Sequence, residues 1–326
     1  MRSSTLLAAL VVLPSSCIFA QLSGKVGPTT SYAAKRAKKV CNINSYGGSP
    51  SSPDVGPALQ RAWDACAAGG VVVVPPGNYK MGTWVNFKNG EGVAIQIDGI
   101  ITRNANAGAS GGNMILVQGG SDIELGSSTG KGAVQGLGYL LHRQGNIKGT
   151  RILRFQKVTN FSVHDFIMVD SPAFHFTMDS CSNGEVYNLA IRGDGQGGLD
   201  GVVIWGDNIW AHDIMVTNRD ECVDIKSPAS NILVENVYCN WSGGSALGSL
   251  GANVALSNIL YRNVYTWKSN QMMMIKSNGG SGYVKNVVFD NFIGFSNAYS
   301  LNVDQYWSSM KPVGGNGVAL SNITFS

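Results

Sequence analysis

Charge and histidine are both scarce in this chain. Only 13% of its 326 residues are Asp, Glu, Lys or Arg, there are four His, and the formal net charge is +4. A balance this mild tolerates a polyanionic substrate but is no nucleic-acid footprint. The one basic cluster, Lys35-Arg36-Ala37-Lys38-Lys39, reads as a solvated face near the mature N-terminus. Cys-x-x-Cys is missing and no His stands at ligand spacing, so we expect no metal and no cofactor. A Gly-x-Ser-x-Gly elbow is missing too. The glycine-rich run Gly193-Asp194-Gly195-Gln196-Gly197-Gly198 has no helix pattern after it, which makes it a weak phosphate loop. His142, His164, His175 and His212 stand apart from any nucleophile motif and read as packing residues. Beyond the N-terminus no apolar run approaches the roughly 20 residues that a bilayer requires, so no membrane partner is expected.

The N-terminus reads as a signal peptide over residues 1–20, with Arg2, an apolar stretch from Leu6 to Leu13, and a small-residue exit at Ala20. Secretion permits disulfides. Without Cys17, five cysteines remain, and the expected pairs are Cys41–Cys66 and Cys222–Cys239. Cys181 is then left over, either buried as a free thiol or lacking its partner.

Residues 53–68 carry the one convincing helical pattern, with Leu59, Ala62, Trp63 and Cys66 on one face, Asp54 able to cap it, and Gly69-Gly70 to stop it. Val71 to Val74 follow as a short strand. From about residue 95 a different phrase recurs: Asn or Asp, a short strand, another Asn or Asp, a second strand. Thr159-Asn160-Phe161-Ser162-Val163-His164-Asp165 and Ser230-Asn231-Ile232-Leu233-Val234-Glu235-Asn236 are two instances. The leading asparagines fall at 160, 183, 208, 231, 258 and 286, with gaps of 23, 25, 23, 27 and 28 residues. Such a period signals a solenoid whose coils share one core. Asn suits its corners because it tolerates left-handed backbone and its amides can bond along the stack. We therefore predict an all-β, right-handed parallel β-helix over residues 21–326, with one short N-terminal capping helix. A β-sandwich would show turns every 8–12 residues without the longer beat.

The densest acidic group is Asp194, Asp200, Asp207, Asp213, Asp220, Glu221 and Asp224. Asp200 precedes the Asp220-Glu221 pair by nearly one coil, so stacking should bring these three together on one outer face. Clustered carboxylates raise one another's pKa, and glycoside hydrolysis uses that split: one acid stays protonated for the leaving oxygen, another stays ionised for water. Asp207, Asp213 and Asp224 read instead as turn carboxylates capping backbone amides.

These residues resemble glycoside hydrolase family 28, the polygalacturonase family. Gly198-Leu199-Asp200-Gly201 is similar to its Asn-Thr-Asp-Gly motif, and Asp220-Glu221-Cys222 to its Asp-Asp-Cys motif. The stretch Cys239 to Gly251 matches the family's Gly-His-Gly region without the His, and Met274-Ile275-Lys276 matches Arg-Ile-Lys without the Arg. These losses argue against plain polygalacturonan. Asn218-Arg219-Asp220-Glu221-Cys222, Cys239-Asn240-Trp241-Ser242-Gly243-Gly244 and Tyr265-Thr266-Trp267 look like the rhamnogalacturonan hydrolase branch.

That resemblance implies a secreted, monomeric, endo-acting and inverting hydrolase of the galacturonic acid–rhamnose backbone of pectin. It assigns Asp220 as general acid, with Asp200 and Glu221 to hold and activate water. Inversion calls for acid and base roughly 6.5–9.5 Å apart. Lys276 is expected to meet a substrate carboxylate, and Asn218 and Trp241 to bind substrate, with Trp210 and Trp267 as further stacking candidates. Relatives carry the Cys222–Cys239 pair and continue beyond Ser326, so the chain reads as truncated, with an uncapped and less stable end. Some relatives place His where Phe295 stands. Asn160, Asn240 and Asn322 open glycosylation sequons. The competing readings are a polygalacturonase or xylogalacturonan hydrolase, a calcium-dependent pectate lyase, and a non-catalytic carbohydrate-binding relative.

Overall fold

The computed structural model describes residues 22–107, 111–146, 148–195 and 197–326. The expected signal peptide, Cys17 and Gln196 lie outside the described residues. Strands pair in parallel throughout, and the chain winds into a β-helix of about ten coils.

Each central coil contributes to three sheets. In the first sheet, residues 202–204, 221–225, 244–250 and 271–277 stack in order. In the second, Val163, Val186, Ala211, Val234, Tyr261 and Phe289 lie in register, all of them buried. In the third, Thr217, Asn240, Trp267 and Phe295 lie in register. No coil could cover the apolar residues of the first two sheets alone; stacking buries them, and each fully buried Val, Ile or Phe contributes about 1.5–3 kcal/mol, whereas Trp267 and Phe295 of the third column stay exposed.

Two polar ladders turn the corners on either side of the second sheet. In the first, Asn183 donates to Asn160 at 3.0 Å and Asn208 to Asn183 at 2.8 Å. Asn231 instead reaches Asp207 at 2.8 Å, and the chain of amides resumes through Asn258, Asn286 and Asn322. The second runs through Asp165 and Asn188, then Asp213, Asn236, Asn263 and Asn291. All these residues except Asp207 have φ between 49° and 56°, the left-handed region that Asn and Asp tolerate best. The last rung of the second ladder uses Asn291.

Among the described residues three α-helices are present rather than one. Gly56–Cys66 (α2) is the expected capping helix; Asp54 accepts from the Gly56 amide at its start at 2.9 Å, and the Cys41–Cys66 disulfide pins its end. The other two, Tyr32–Lys38 (α1) and Tyr139–His142 (α3), are too short for their period to show in the sequence. The basic cluster on and after α1 is exposed as expected at Arg36, Lys38 and Lys39, but not at Lys35. Lys35 is buried, with its ammonium 3.4 Å from both Asp122 and Glu124, while Lys38 and Lys39 bond the carbonyls of Ala68 and Ala65. These cations fasten the N-terminal segment to the solenoid. Cys222–Cys239 is also formed, and Cys181 is a buried free thiol whose pKa burial pushes up to about 11. No helix among the described residues is long and apolar enough to cross a membrane.

Candidate active site

The acids meet where the loops leaving the third sheet enter the first. Asp200 closes one such loop, Asp220 closes the next, and Glu221 opens the strand that follows. One oxygen from each of Asp200, Asp220 and Glu221 lies within 4.8 Å of the others. Coil stacking thus brings together residues that are 20 positions apart. The nearest oxygens are closer than the roughly 6.5–9.5 Å expected for an inverting pair, because all three acids share one corner of adjacent coils.

Backbone groups hold the corner rigid. An Asp220 carboxylate oxygen accepts from the Gly198 N–H and, at 3.0 Å, from the Leu199 N–H. The Asp220 carbonyl accepts from the Ser242 hydroxyl at 3.0 Å and the Gly243 N–H at 2.6 Å. Gly243 permits this approach, since a Cβ there would stand 2.8 Å from the Asp220 carbonyl carbon. His175, fully buried, directs Nδ1 at the Leu199 and Asp200 carbonyls, at 3.2 and 3.1 Å. Burial pulls its pKa down to about 4, so it is a neutral brace.

Two cations were not both foreseen here. Lys276 pairs directly with Glu221 Oε1 and lies 5.3 Å from the Trp307 ring centroid, only 4% exposed. The sequence expects it to meet a substrate carboxylate; without substrate its ammonium contacts the protein's own acid. Lys226 pairs with Asp224, which is fully buried, and approaches Asp200 at 3.9 Å. Asp224 is therefore no cap of backbone amides but part of the site. Asp207 and Asp213 cap no amides either; they serve as side-chain rungs of the corner ladders.

Four carboxyl groups against two ammoniums cannot all ionise in a buried corner. Burial, followed by the negative charge of Glu221, holds Asp200 well above the carboxylate range. Burial and the hydrogen bond with Glu221 push Asp220 up to about 6. Burial likewise raises Asp224 to about 6, against the pull of Lys226. Burial would raise Glu221 as well, but the Asp220 hydrogen bond and Lys276 outweigh it and bring the pKa down to about 2. Neighbouring acids whose values are split this way carry opposite roles in acid–base chemistry.

The remaining predicted residues fall into different places. Asn218 does not face a groove: it is 2% exposed, and its amide donates to the Leu199 and Glu221 carbonyls at 2.9 and 3.0 Å. It positions the loop. Trp241 and Trp267 are exposed beside the acids, whereas Trp210 lies in the second sheet, bonded to Glu235 and stacked on His212. The amide nitrogens of Asn160 and Asn322 donate within the corner ladder, to Ser121 and Asn286, which glycosylation would disrupt; Asn240 makes no such bond.

Comparison with known proteins bears on the family and the fold. A rhamnogalacturonase A of Aspergillus niger is 61% identical over 306 residues, covering 94% of this chain and 68% of its own length. A rhamnogalacturonase A of Aspergillus aculeatus is 61% identical over 319 residues, 98% of this chain and 71% of its own length. Among solved structures, the endo-xylogalacturonan hydrolase of Aspergillus tubingensis superposes with a TM-score of 0.79 at 22% identity, over 88% of this chain and 83% of its own. The polygalacturonase of Erwinia carotovora gives 0.71 at 16% identity, over 88% and 93%. At those identities the likeness is one of fold. The profile of glycosyl hydrolases family 28 matches residues 67–326, a span that holds all four acids, and this chain belongs to that family.

Proposed function

We propose that this glycoside hydrolase is secreted and cleaves the galacturonic acid–rhamnose backbone of rhamnogalacturonan, from within the chain and with inversion. The observation that carries the reading is the split between two adjacent acids, Asp220 at about 6 and Glu221 at about 2, in a corner fixed by backbone hydrogen bonds. The relatives' names supply the substrate. Secretion and action as a single chain rest on the sequence and the same relatives.

In this reaction protonated Asp220 donates its proton to the glycosidic oxygen as the bond to the anomeric carbon breaks. Ionised Glu221 takes a proton from a water whose oxygen attacks that carbon from the opposite face. Asp200, kept neutral by burial, holds the same water. The leaving sugar departs with the proton of Asp220, and the second proton rests on Glu221.

The test is reducing-end release from de-esterified rhamnogalacturonan beside polygalacturonan, with the product anomer followed by proton NMR. Rhamnogalacturonan should be the better substrate and the first product anomer inverted. Asp220→Asn should lower kcat by about 10²–10⁴-fold. Equal rates for that variant and wild type would remove Asp220 from the acid role, and unsaturated products would identify a lyase.

A further inference from the structure

Lys276 is nearly buried and paired with Glu221, so the exposed rim is where further cations for an acidic sugar are found. Two candidates stand on the rim beside Asp220. Arg219 precedes the proposed acid directly; its guanidinium carbon lies 4.6 Å from the centroid of the Trp241 ring. Lys268 Nζ lies 5.3 Å from the Trp241 centroid and 4.6 Å from that of Trp267. All four residues are exposed. Among the described residues neither cation has a carboxylate within ion-pair distance, unlike Lys35, Lys226 and Lys276.

The backbone points to a role for this cluster. Trp241 and Lys268 occupy the same corner of successive coils, the Trp241 N–H donating to the Trp267 carbonyl at 2.9 Å and the Lys268 N–H to the Phe295 carbonyl at 2.9 Å. Both are left-handed, with φ of 49° and 51°. At the other two corners Asn and Asp fill that conformation and offset its cost with amide ladders. Here bulky side chains hold it with no ladder, the kind of local strain that collects at binding sites. The cluster is also coupled to the acid. Ser242 and Gly243, which grip the Asp220 carbonyl, follow Trp241 in sequence.

We propose that Arg219 and Lys268, mounted on Trp241 and Trp267, form a subsite that takes the carboxylate of a uronic acid next to the scissile bond. The indole faces supply an apolar surface for the C–H side of a pyranose. A guanidinium lying over an indole keeps its in-plane N–H donors available for a carboxylate fork, and Lys268 adds a point charge. The inference deepens the functional reading above and rests on it for the reaction assayed.

The experiment compares kcat/KM on rhamnogalacturonan oligosaccharides with kcat/KM on the same oligosaccharides after reduction of their galacturonate carboxyls to primary alcohols. Wild type should prefer the acidic form. In the double variant Arg219→Gln with Lys268→Gln that preference should fall at least tenfold, through KM rather than kcat, and wild-type KM should rise with added salt. An unchanged preference ratio overturns the subsite, whatever the variant does to overall rate. If wild type releases no reducing ends from either form, the functional reading falls. Tryptophan fluorescence titration with both oligosaccharides then decides the subsite. Quenching by the acidic form alone, lost in the double variant, supports it; equal quenching by both forms, or none by either, overturns it.

Discussion

Removing the ammonium of Lys276 tests the acid–base split most directly. Lys276→Met keeps the length and apolar character of the side chain but deletes the charge against Glu221. With that pull gone, burial is opposed only by the Asp220 hydrogen bond and by Lys226. A return merely to the ordinary glutamate value of 4.5 is a rise of about two pKa units, or about 3 kcal/mol of lost preference for the ionised base. At pH 3.5 the ionised fraction would fall from about 97% to about 9%, so kcat/KM should drop about tenfold. At pH 5.5 the same change costs only about 10%. The measurement is kcat/KM from pH 2.5 to 6.5. Wild type should hold most of its activity down to pH 2.5, above the Glu221 value of about 2, and lose it as pH rises through about 6, where Asp220 gives up its proton. The variant should shift the acid limb alone. A loss equal at all pH values, or an unmoved acid limb, would refute the assignment of Lys276 as the group that keeps Glu221 ionised.

The corner ladder predicts that Asn258→Ala costs about 3 kcal/mol, from one donated and one accepted hydrogen bond plus left-handed strain, whereas Asn258→Gly recovers about 1 kcal/mol of it; urea unfolding measures both. His164 lies between Glu124 and Asp165, and although burial lowers its pKa, those carboxylates raise it above the ordinary value. A raised folded pKa means its stabilisation is complete below about 6.5 and fades as pH climbs through the folded value. Unfolding of His164→Gln at pH 5 and pH 8 should therefore show the larger loss at pH 5, and equal losses would refute the ion-pair account. Asp224→Asn removes the ion-pair partner of half-buried Lys226, which keeps the Gly248 carbonyl, and should destabilise by about 1–3 kcal/mol, read as a fall in Tm at pH 7.

The fold was legible because its repeat is carried by one residue type at one kind of corner. The six asparagines read from the sequence are the six that stack, and Asn322 adds a seventh rung. The trio Asp200, Asp220 and Glu221 was legible for the same reason, since a coil period converts sequence distance into adjacency. What periodicity cannot give is the partner of a charge. Lys276 and Asn218 matched useful motifs, but whether a side chain turns to substrate or to its own chain depends on what the neighbouring coil presents. Arg219 stood inside the Asn218–Cys222 motif with no role of its own, and Lys268 directly follows Trp267. Their grouping shows only once Trp241 and Trp267 are placed on successive coils.

Asp224 shows how the solenoid departs from its own rule to build the site. In a regular strand, residues three apart point to opposite faces, so Glu221 and Asp224 should be separated. Pairing with the next coil runs from Glu221 with Gly244 to Asp224 with Ala246, which sets two residues, Cys222 and Val223, against Ser245 alone. Both Cys222 and Val223 are core residues. This bulge shifts the alternation by one, so that Glu221, Asp224 and Lys226 come to one face, across from Lys276. Bulges beside active sites re-aim side chains in this way. The disulfide Cys222–Cys239 holds the bulged residue to the end of its own coil. The irregular pairing and the cross-link therefore act together, keeping a buried acid and two lysines within reach of the pair whose pKa values they separate.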